Sequence, residues 1–127
     1  AAKAAAAKAN PALADFATRL EKALGEQQAA TMWLMQNAMA NPDNAGAGST
    51  DFMHLFGLVA LGYMWAQMAK TSQEKIAEGA NGKAAFFDTK LKTADFFMGR
   101  VLPETSMRLA RIQAGSDSVM ALPAEAF

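Results

Sequence analysis

The chain carries few of the side chains from which active sites are usually built. It has one histidine, His54, and no cysteine among its 127 residues. No second histidine stands at ligand spacing from His54, and no motif marks a serine as its nucleophile. The sequence therefore predicts neither a metal site nor a hydrolytic triad, and we interpret His54 as an ordinary helix residue.

The carboxylates lie among polar neighbours and are not paired on an apolar face. General acid catalysis needs a carboxyl group that the fold has desolvated, which is not expected for Asp15, Glu21, Glu26, Asp88 or Glu104. Gly46 and Gly48 precede a helix but lack the lysine that marks a phosphate-binding loop. We assign no catalytic, cofactor-binding or metal-ligating residue to this chain.

The balance of charged and hydrophobic residues limits the kinds of molecule that this chain could bind. Lys plus Arg equals Asp plus Glu at 12 each, so the positive field of a nucleic-acid-binding protein is missing and nucleic acid is excluded as a partner. Hydrophobic residues make up 52% of the chain, with 9 Met and 8 Phe that could pack a core or line a groove for an acyl chain. Without cysteines there is no disulfide framework, and we expect a cytoplasmic protein.

Helix positions follow from apolar spacing and from helix-breaking residues. Asn10-Pro11 predicts a helix start, and the apolar stripe that follows places the first helix at roughly 11–40. Segment 41–49 is rich in Gly, Asn and Pro and is predicted to be a loop. A second helix is predicted at about 50–78, with Asp51 favourable in its first turn.

The second half of the chain completes the predicted fold. A tight connection at 79–82 leads to a third helix, which Pro103 interrupts, and a fourth, shorter helix ends at Gly115, a residue suited to a left-handed cap. No alternating run of strand-forming residues is present. We predict an all-α fold, an antiparallel helical bundle of three long helices and one short helix formed by residues 11–127. Residues 1–10 are predicted to be a helical N-terminal extension at the start of a fragment of a longer chain.

The stretch Phe52–Ala69 is predicted to be the most enclosed element of the bundle. Only His54 and Gln67 in it are plainly polar, and a helix that is apolar all round lies in a protein interior or in a lipid bilayer. Its length is at the lower edge of the range for a membrane span, about 17 to 25 residues. We favour a buried central helix and keep a membrane span as the alternative.

Large apolar side chains that end in a polar group are the best candidates for an interface, because they can be half buried while the polar group meets water. We add two apolar residues near the end of the chain. The interface candidates are Trp33, Tyr63, Trp65, Leu122 and Phe127.

Three stretches together carry a family resemblance. They are Gln27–Ala69, Phe86–Glu104 and Ala114–Phe127, and their most specific segments are Gly-Tyr-Met-Trp, Lys-Leu-x-Thr-Ala, Arg-Val-Leu-Pro-Glu and MALPAEAF. These stretches resemble the extreme C-terminal domain of bacterial acyl-CoA dehydrogenases. The resemblance implies a parent flavoenzyme that removes two hydrogens across the α,β bond of an acyl-CoA thioester, with FAD as its cofactor and electron-transfer flavoprotein as its oxidant.

In that family the catalytic glutamate and the flavin-binding segments lie upstream of this domain. The resemblance therefore carries no catalytic role over to Glu21, Glu74 or Glu104. It implies an accessory domain that packs on the catalytic domains of the parent and on a second subunit. A membrane-associating helical domain and an acyl-ligand-binding bundle are the alternative functions.

Overall fold

A computed structural model of the protein describes residues 11–127 as a bundle of helices joined by short turns. The α-helices of this part of the chain are α1 (Pro11–Asn37), α2 (Asp43–Ala77), α3 (Ala84–Phe96) and α4 (Glu104–Gln113). No strand occurs among these residues, which confirms the predicted all-α bundle. The helical extension predicted at 1–10 lies outside the described residues.

The helix α2 begins at Asp43, inside the segment that we predicted to be a loop, so that prediction is wrong. The Asn41 side-chain oxygen accepts a hydrogen bond from the Asp43 N–H, the first residue of the helix, at 3.1 Å. Gly48 lies where a Cβ atom would be 3.4 Å from Leu34 and 3.5 Å from Ile112. The close packing that glycine allows here outweighs its weak helix propensity.

The turns on either side of α3 have unusual backbone geometry. Gly79–Gly82 connects α2 to α3, as predicted, through residues that all have positive φ. A π-helical turn, Phe97–Val101, follows α3, and the Leu102 N–H closes it on the Phe97 carbonyl at 2.9 Å. Pro103 comes next, and its ring would clash with the carbonyl four residues earlier in a regular α-helix. The wider π turn avoids that clash before α4 begins.

The core lies where α2 packs against α1, α3 and α4. Every one of these helices contributes to it, and so does the π turn. Its buried members include Leu13, Phe16, Leu55, Val59, Ala94, Phe97, Met98, Leu102 and Ile112. A Cβ atom at Gly62 would lie 3.2 Å from both Leu20 and Leu102, so this glycine lets those two side chains pack closely against α2.

The stretch Phe52–Ala69 of α2 is at least as enclosed as the other described helices, but it is not buried all round, as a buried central helix would be. Its neighbouring helices cover one side, and the opposite side exposes large apolar residues. Among the described helices α2 is long and apolar enough to cross a membrane, but only 22% of its most apolar window is buried in the bundle. Because α1, α3 and α4 all pack on one side of α2, its opposite side stays uncovered.

Candidate functional site

The described residues contain no group of three or more His, Asp or Glu side chains that could hold a metal ion. His54 is exposed on α2. The features that remain for a function are a buried ion-pair cluster, a polar anchor for the C-terminal segment and an apolar surface.

The ion-pair cluster lies between α2 and α4, and sequence analysis missed it. Asp51 is only 5% exposed. One of its oxygens accepts a hydrogen bond from Arg108 Nη1 at 2.7 Å, and the other lies 3.3 Å from Arg111 Nε. Arg108 also donates to Glu104 Oε1 at 2.6 Å. Two arginines three positions apart on an amphipathic helix were the available signal, but nothing local pairs them with Asp51.

This cluster fastens two helices together and is not arranged for proton transfer. The hydrogen bond to Asp51 raises the pKa of the Arg108 guanidinium most, and the hydrogen bond to Glu104 raises it further. The guanidinium therefore stays charged, and Asp51 has an arginine at each oxygen. A general base must reach the proton of a substrate, whereas Asp51 is buried between two helices and ion-paired at both oxygens.

A second polar cluster anchors the C-terminal segment to the start of α2. The Asn44 Oδ1 atom accepts hydrogen bonds from both the N–H and the hydroxyl of Ser116, each at 2.9 Å. The Asn44 amide donates to the Asn37 carbonyl at the end of α1, at 3.3 Å. Ser116 is buried, and Gly115 before it has φ +74°, as predicted for a left-handed cap.

The apolar surface is the side of α2 that its neighbours leave uncovered. We call it the outer face of α2 and define it by residues that recur three and four positions apart: Met53, Phe56, Gly57, Ala60, Leu61 and Met64. The four large side chains among them each keep more than half of their surface exposed. An exposed apolar patch on a small protein marks a surface that binds another protein, a membrane or a ligand.

A groove runs beside this face, between α1 and α2. It holds about 360 Å³ and is lined by Leu20, Leu24 and Gln27 of α1 and by Phe56, Ala60 and Met64 of α2, among others. Its walls are almost wholly apolar, and it is open to solvent along its length.

The structure places the five predicted interface residues in different settings. Trp33 and Trp65 are half-buried against the core, and Trp65 stacks on Phe97 with ring centroids 6.4 Å apart. Tyr63 lines the groove. Leu122 and Phe127 are exposed in the C-terminal segment. Their role in an interface stays a prediction.

Sequence analysis missed the large residues of the outer face as interface candidates. A stretch that is apolar all round predicts burial, and this prediction places Met53, Phe56, Leu61 and Met64 in the core rather than at an interface.

Comparison with known proteins agrees with the resemblance noted in the sequence. Residues 1–123 match the family described as acetyl-CoA dehydrogenase C-terminal like. The chain is also 34% identical over 113 residues to 3-methylmercaptopropionyl-CoA dehydrogenase of Ruegeria pomeroyi. That alignment covers 89% of this chain and 19% of the relative, so the chain spans about a fifth of the length of the curated relative that it matches. The family match extends over almost the whole bundle, and the chain therefore belongs to the C-terminal domain family of the acyl-CoA dehydrogenases.

Proposed function

We propose that this chain is an accessory helical domain that packs on the catalytic core of an FAD-dependent acyl-CoA dehydrogenase and mediates subunit contacts. The observation that carries the proposal is the outer face of α2, where Met53, Phe56, Leu61 and Met64 lie exposed on one side of one helix. Exposing such a surface to water is unfavourable. A partner that covers it removes apolar area from water, and this burial stabilises the complex. Membership of the family supplies the partner, a dehydrogenase body.

The chemistry in this proposal belongs to the parent enzyme and not to the residues described above. The named relative acts on an acyl-CoA, and this chain corresponds to its C-terminal part. We assign FAD, the acyl-CoA substrate and electron-transfer flavoprotein to the catalytic domains of the parent, and α,β-dehydrogenation to the same domains. We place the enzyme in the cytoplasm.

The full-length protein tests this proposal. We expect the sequence upstream of residue 1 to encode a flavin-binding dehydrogenase. The purified full-length protein should then show flavin absorption that bleaches when an acyl-CoA substrate is added. Deleting residues 11–127 should leave flavin binding in place but reduce the number of subunits in the assembly, as calculated from its mass in solution. A full-length protein that binds no flavin would refute the assignment.

The groove between α1 and α2 favours a second candidate function, the binding of an acyl chain. Its apolar walls and its volume of about 360 Å³ suit a hydrocarbon chain. In that case a long-chain acyl-CoA should raise the melting temperature of the 127-residue chain, while free CoA should not. An equal response to both compounds would rule out recognition of the acyl chain.

The outer face of α2 would also serve a membrane-associating domain, because α2 is long and apolar enough to enter a bilayer. Co-sedimentation with liposomes tests this alternative. A chain that stays in the supernatant with both neutral and anionic liposomes would exclude it.

A further inference from the structure

We propose that Asn81, in the connection between α2 and α3, is a site of spontaneous deamidation whose side chain is converted to aspartate and isoaspartate while the protein is folded. The side-chain amide of an asparagine is open to attack by the backbone nitrogen of the next residue. Asn81 is the one asparagine of the sequence that glycine follows, and glycine has no Cβ atom to obstruct the attack. This inference does not depend on the proposed function.

The reaction needs water as its only co-reactant. The Gly82 nitrogen gives its proton to solvent and forms a bond to Cγ of Asn81, while the Cγ–Nδ2 bond breaks and ammonia leaves. The product is a cyclic imide, which water then opens at either of its two carbonyl carbons. Opening at one carbon gives aspartate. Opening at the other gives isoaspartate, in which the backbone runs through the side chain.

The connection between α2 and α3 leaves this reaction possible in the folded protein. Asn81 and Gly82 are both exposed, and Asn81 has φ 47° and ψ 44°. Attack requires the backbone of Asn81 to rotate so that the Gly82 nitrogen turns toward the side chain. The glycines at 79 and 82 ease that rotation, and an exposed turn opens at a lower cost in free energy than a packed helix.

Two kinds of sequence context protect the other asparagines. Asn10 and Asn41 precede proline, which has no backbone N–H to lose. Asn37 and Asn44 precede alanine, whose Cβ atom hinders the attack. The amide of Asn37 also donates a hydrogen bond to the Trp33 carbonyl at 2.8 Å.

Asn44 is held more firmly still. Its side-chain oxygen accepts two hydrogen bonds from Ser116, each at 2.9 Å. The Ala45 N–H, which would have to attack it, donates to the Pro42 carbonyl at 3.1 Å. Asn44 therefore serves as an internal reference for an asparagine that the fold fixes in place.

Deamidation would change the connection in two ways. Both products place a carboxylate beside Lys75, Glu78 and Lys83, which line the same surface depression as Asn81. Isoaspartate also adds a backbone atom to a connection of only a few residues. The Asn81→Asp variant has the first change without the second, and it provides the reference for the aspartate product.

Peptide mass spectrometry after prolonged incubation of the folded protein at mildly alkaline pH tests the inference. Trypsin cleaves after Lys75 and Lys83, and the peptide 76–83 contains Asn81 and no other side-chain amide. We expect this peptide to exchange its amide for a carboxyl group, and isoaspartate methyltransferase to methylate part of the product. Asn37 and Asn44 should keep their amides over the same period.

Ala45→Gly is the matched control, because it creates a second Asn-Gly pair at 44–45. In the folded variant Asn81 should deamidate faster than Asn44 by about ten-fold or more, since Asn44 must first lose its hydrogen bonds to Ser116. In concentrated urea the two pairs should react at similar rates. Circular dichroism verifies that the variant is folded before incubation.

Two outcomes would overturn the inference. One is an Asn81 that keeps its amide as long as Asn37 does. The other is an equal rate at the two Asn-Gly pairs of the folded Ala45→Gly variant, which would show that the fold does not select the site. Flavin binding by the full-length protein tests the proposed function separately, and neither outcome bears on it.

Discussion

Asp51 is the only charged residue that the bundle buries within the part of the chain that the structure describes. A carboxylate loses its hydration on burial, and it is stable there only if ion pairs and hydrogen bonds compensate. Arg108 and Arg111 supply both, one at each oxygen. Because they come from α4, the cluster fixes how α4 sits against α2.

We predict that Asp51→Ala destabilises the chain by about 2 kcal/mol, the range for lost hydrogen bonds to charged groups. Arg108, whose side chain is only 16% exposed, would lose its bond to Asp51 and keep only Glu104 as a partner. Urea unfolding followed by circular dichroism measures the change. Asp95→Ala is the control, because Asp95 is exposed on α3 and should change stability by no more than about 0.5 kcal/mol. Equal effects of the two substitutions would show that the cluster does not stabilise the bundle.

The position of Asp51 in its helix also differs from our expectation. A residue in the first turn would interact with the helix dipole, but α2 begins at Asp43, two turns earlier. Asp51 is therefore too far from the helix terminus for that interaction, and its partners come from α4.

At the scale of elements, α2 is organised by the size of its side chains. The face that meets α1, α3 and α4 carries several small buried residues, among them Gly48, Gly62, Ala69 and Ser72, beside Leu55 and Val59. The small residues let the neighbouring helices approach closely. The larger side chains at positions such as Phe56 and Met64 would not fit there, and they lie on the outer face. This division explains how a helix that is apolar all round can be half exposed.

We predict that Gly62→Leu destabilises the chain by about 1 to 3 kcal/mol, the usual cost of overpacking a core. The new side chain would have to displace Leu20 and Leu102, which already lie 3.2 Å from the site of its Cβ atom. Gly25→Leu is the matched control, because Gly25 lies in the middle of α1 with nothing within 4 Å of its Cβ position. That substitution should stabilise the chain by roughly 0.5 to 1 kcal/mol through helix propensity. Thermal unfolding at low protein concentration compares the two, and a stable Gly62→Leu variant would contradict the close packing.

At the scale of the whole molecule, Ser116 marks the end of the packed bundle. Its bonds to Asn44 hold the chain against the start of α2. All residues of segment 117–127 are exposed. The segment therefore contributes little to the stability of the bundle, although it carries apolar side chains such as Leu122 and Phe127 that a partner could bind.

We predict that removing 117–127 changes the free energy of unfolding by no more than about 0.5 kcal/mol. Removing 115–127 should cost about 1 kcal/mol more, because the Asn44 oxygen then loses both donors from Ser116. Tryptophan fluorescence during urea unfolding follows both truncations, since Trp33 packs within 3.8 Å of the Cβ position of Gly115. If most of the loss in free energy of unfolding already occurred on removing 117–127, the packed bundle would extend beyond Ser116.

Local signals in the sequence predicted much of the fold. The tight connection at 79–82 and the left-handed Gly115 are visible because their causes are single residues with special backbone freedom. The glycine-rich start of α2 was not predictable in this way. Helix propensity argues for a loop there, and only the contacts of Gly48 with α1 and α4 override it.

The sequence by itself determined the helical class, the connection at 79–82 and the family of this chain, because each depends on residue types at short separations or on matching segments. Tertiary structure decided which side of α2 is buried, and so where the outer face lies. An amphipathic helix shows its buried side through the spacing of its apolar residues. In a helix that is apolar all round, that spacing does not distinguish one side from another. The choice between its sides was made by the sizes of residues that only meet in three dimensions, with Gly62 against Leu20 and Leu102 on one side and Phe56 and Met64 left on the other.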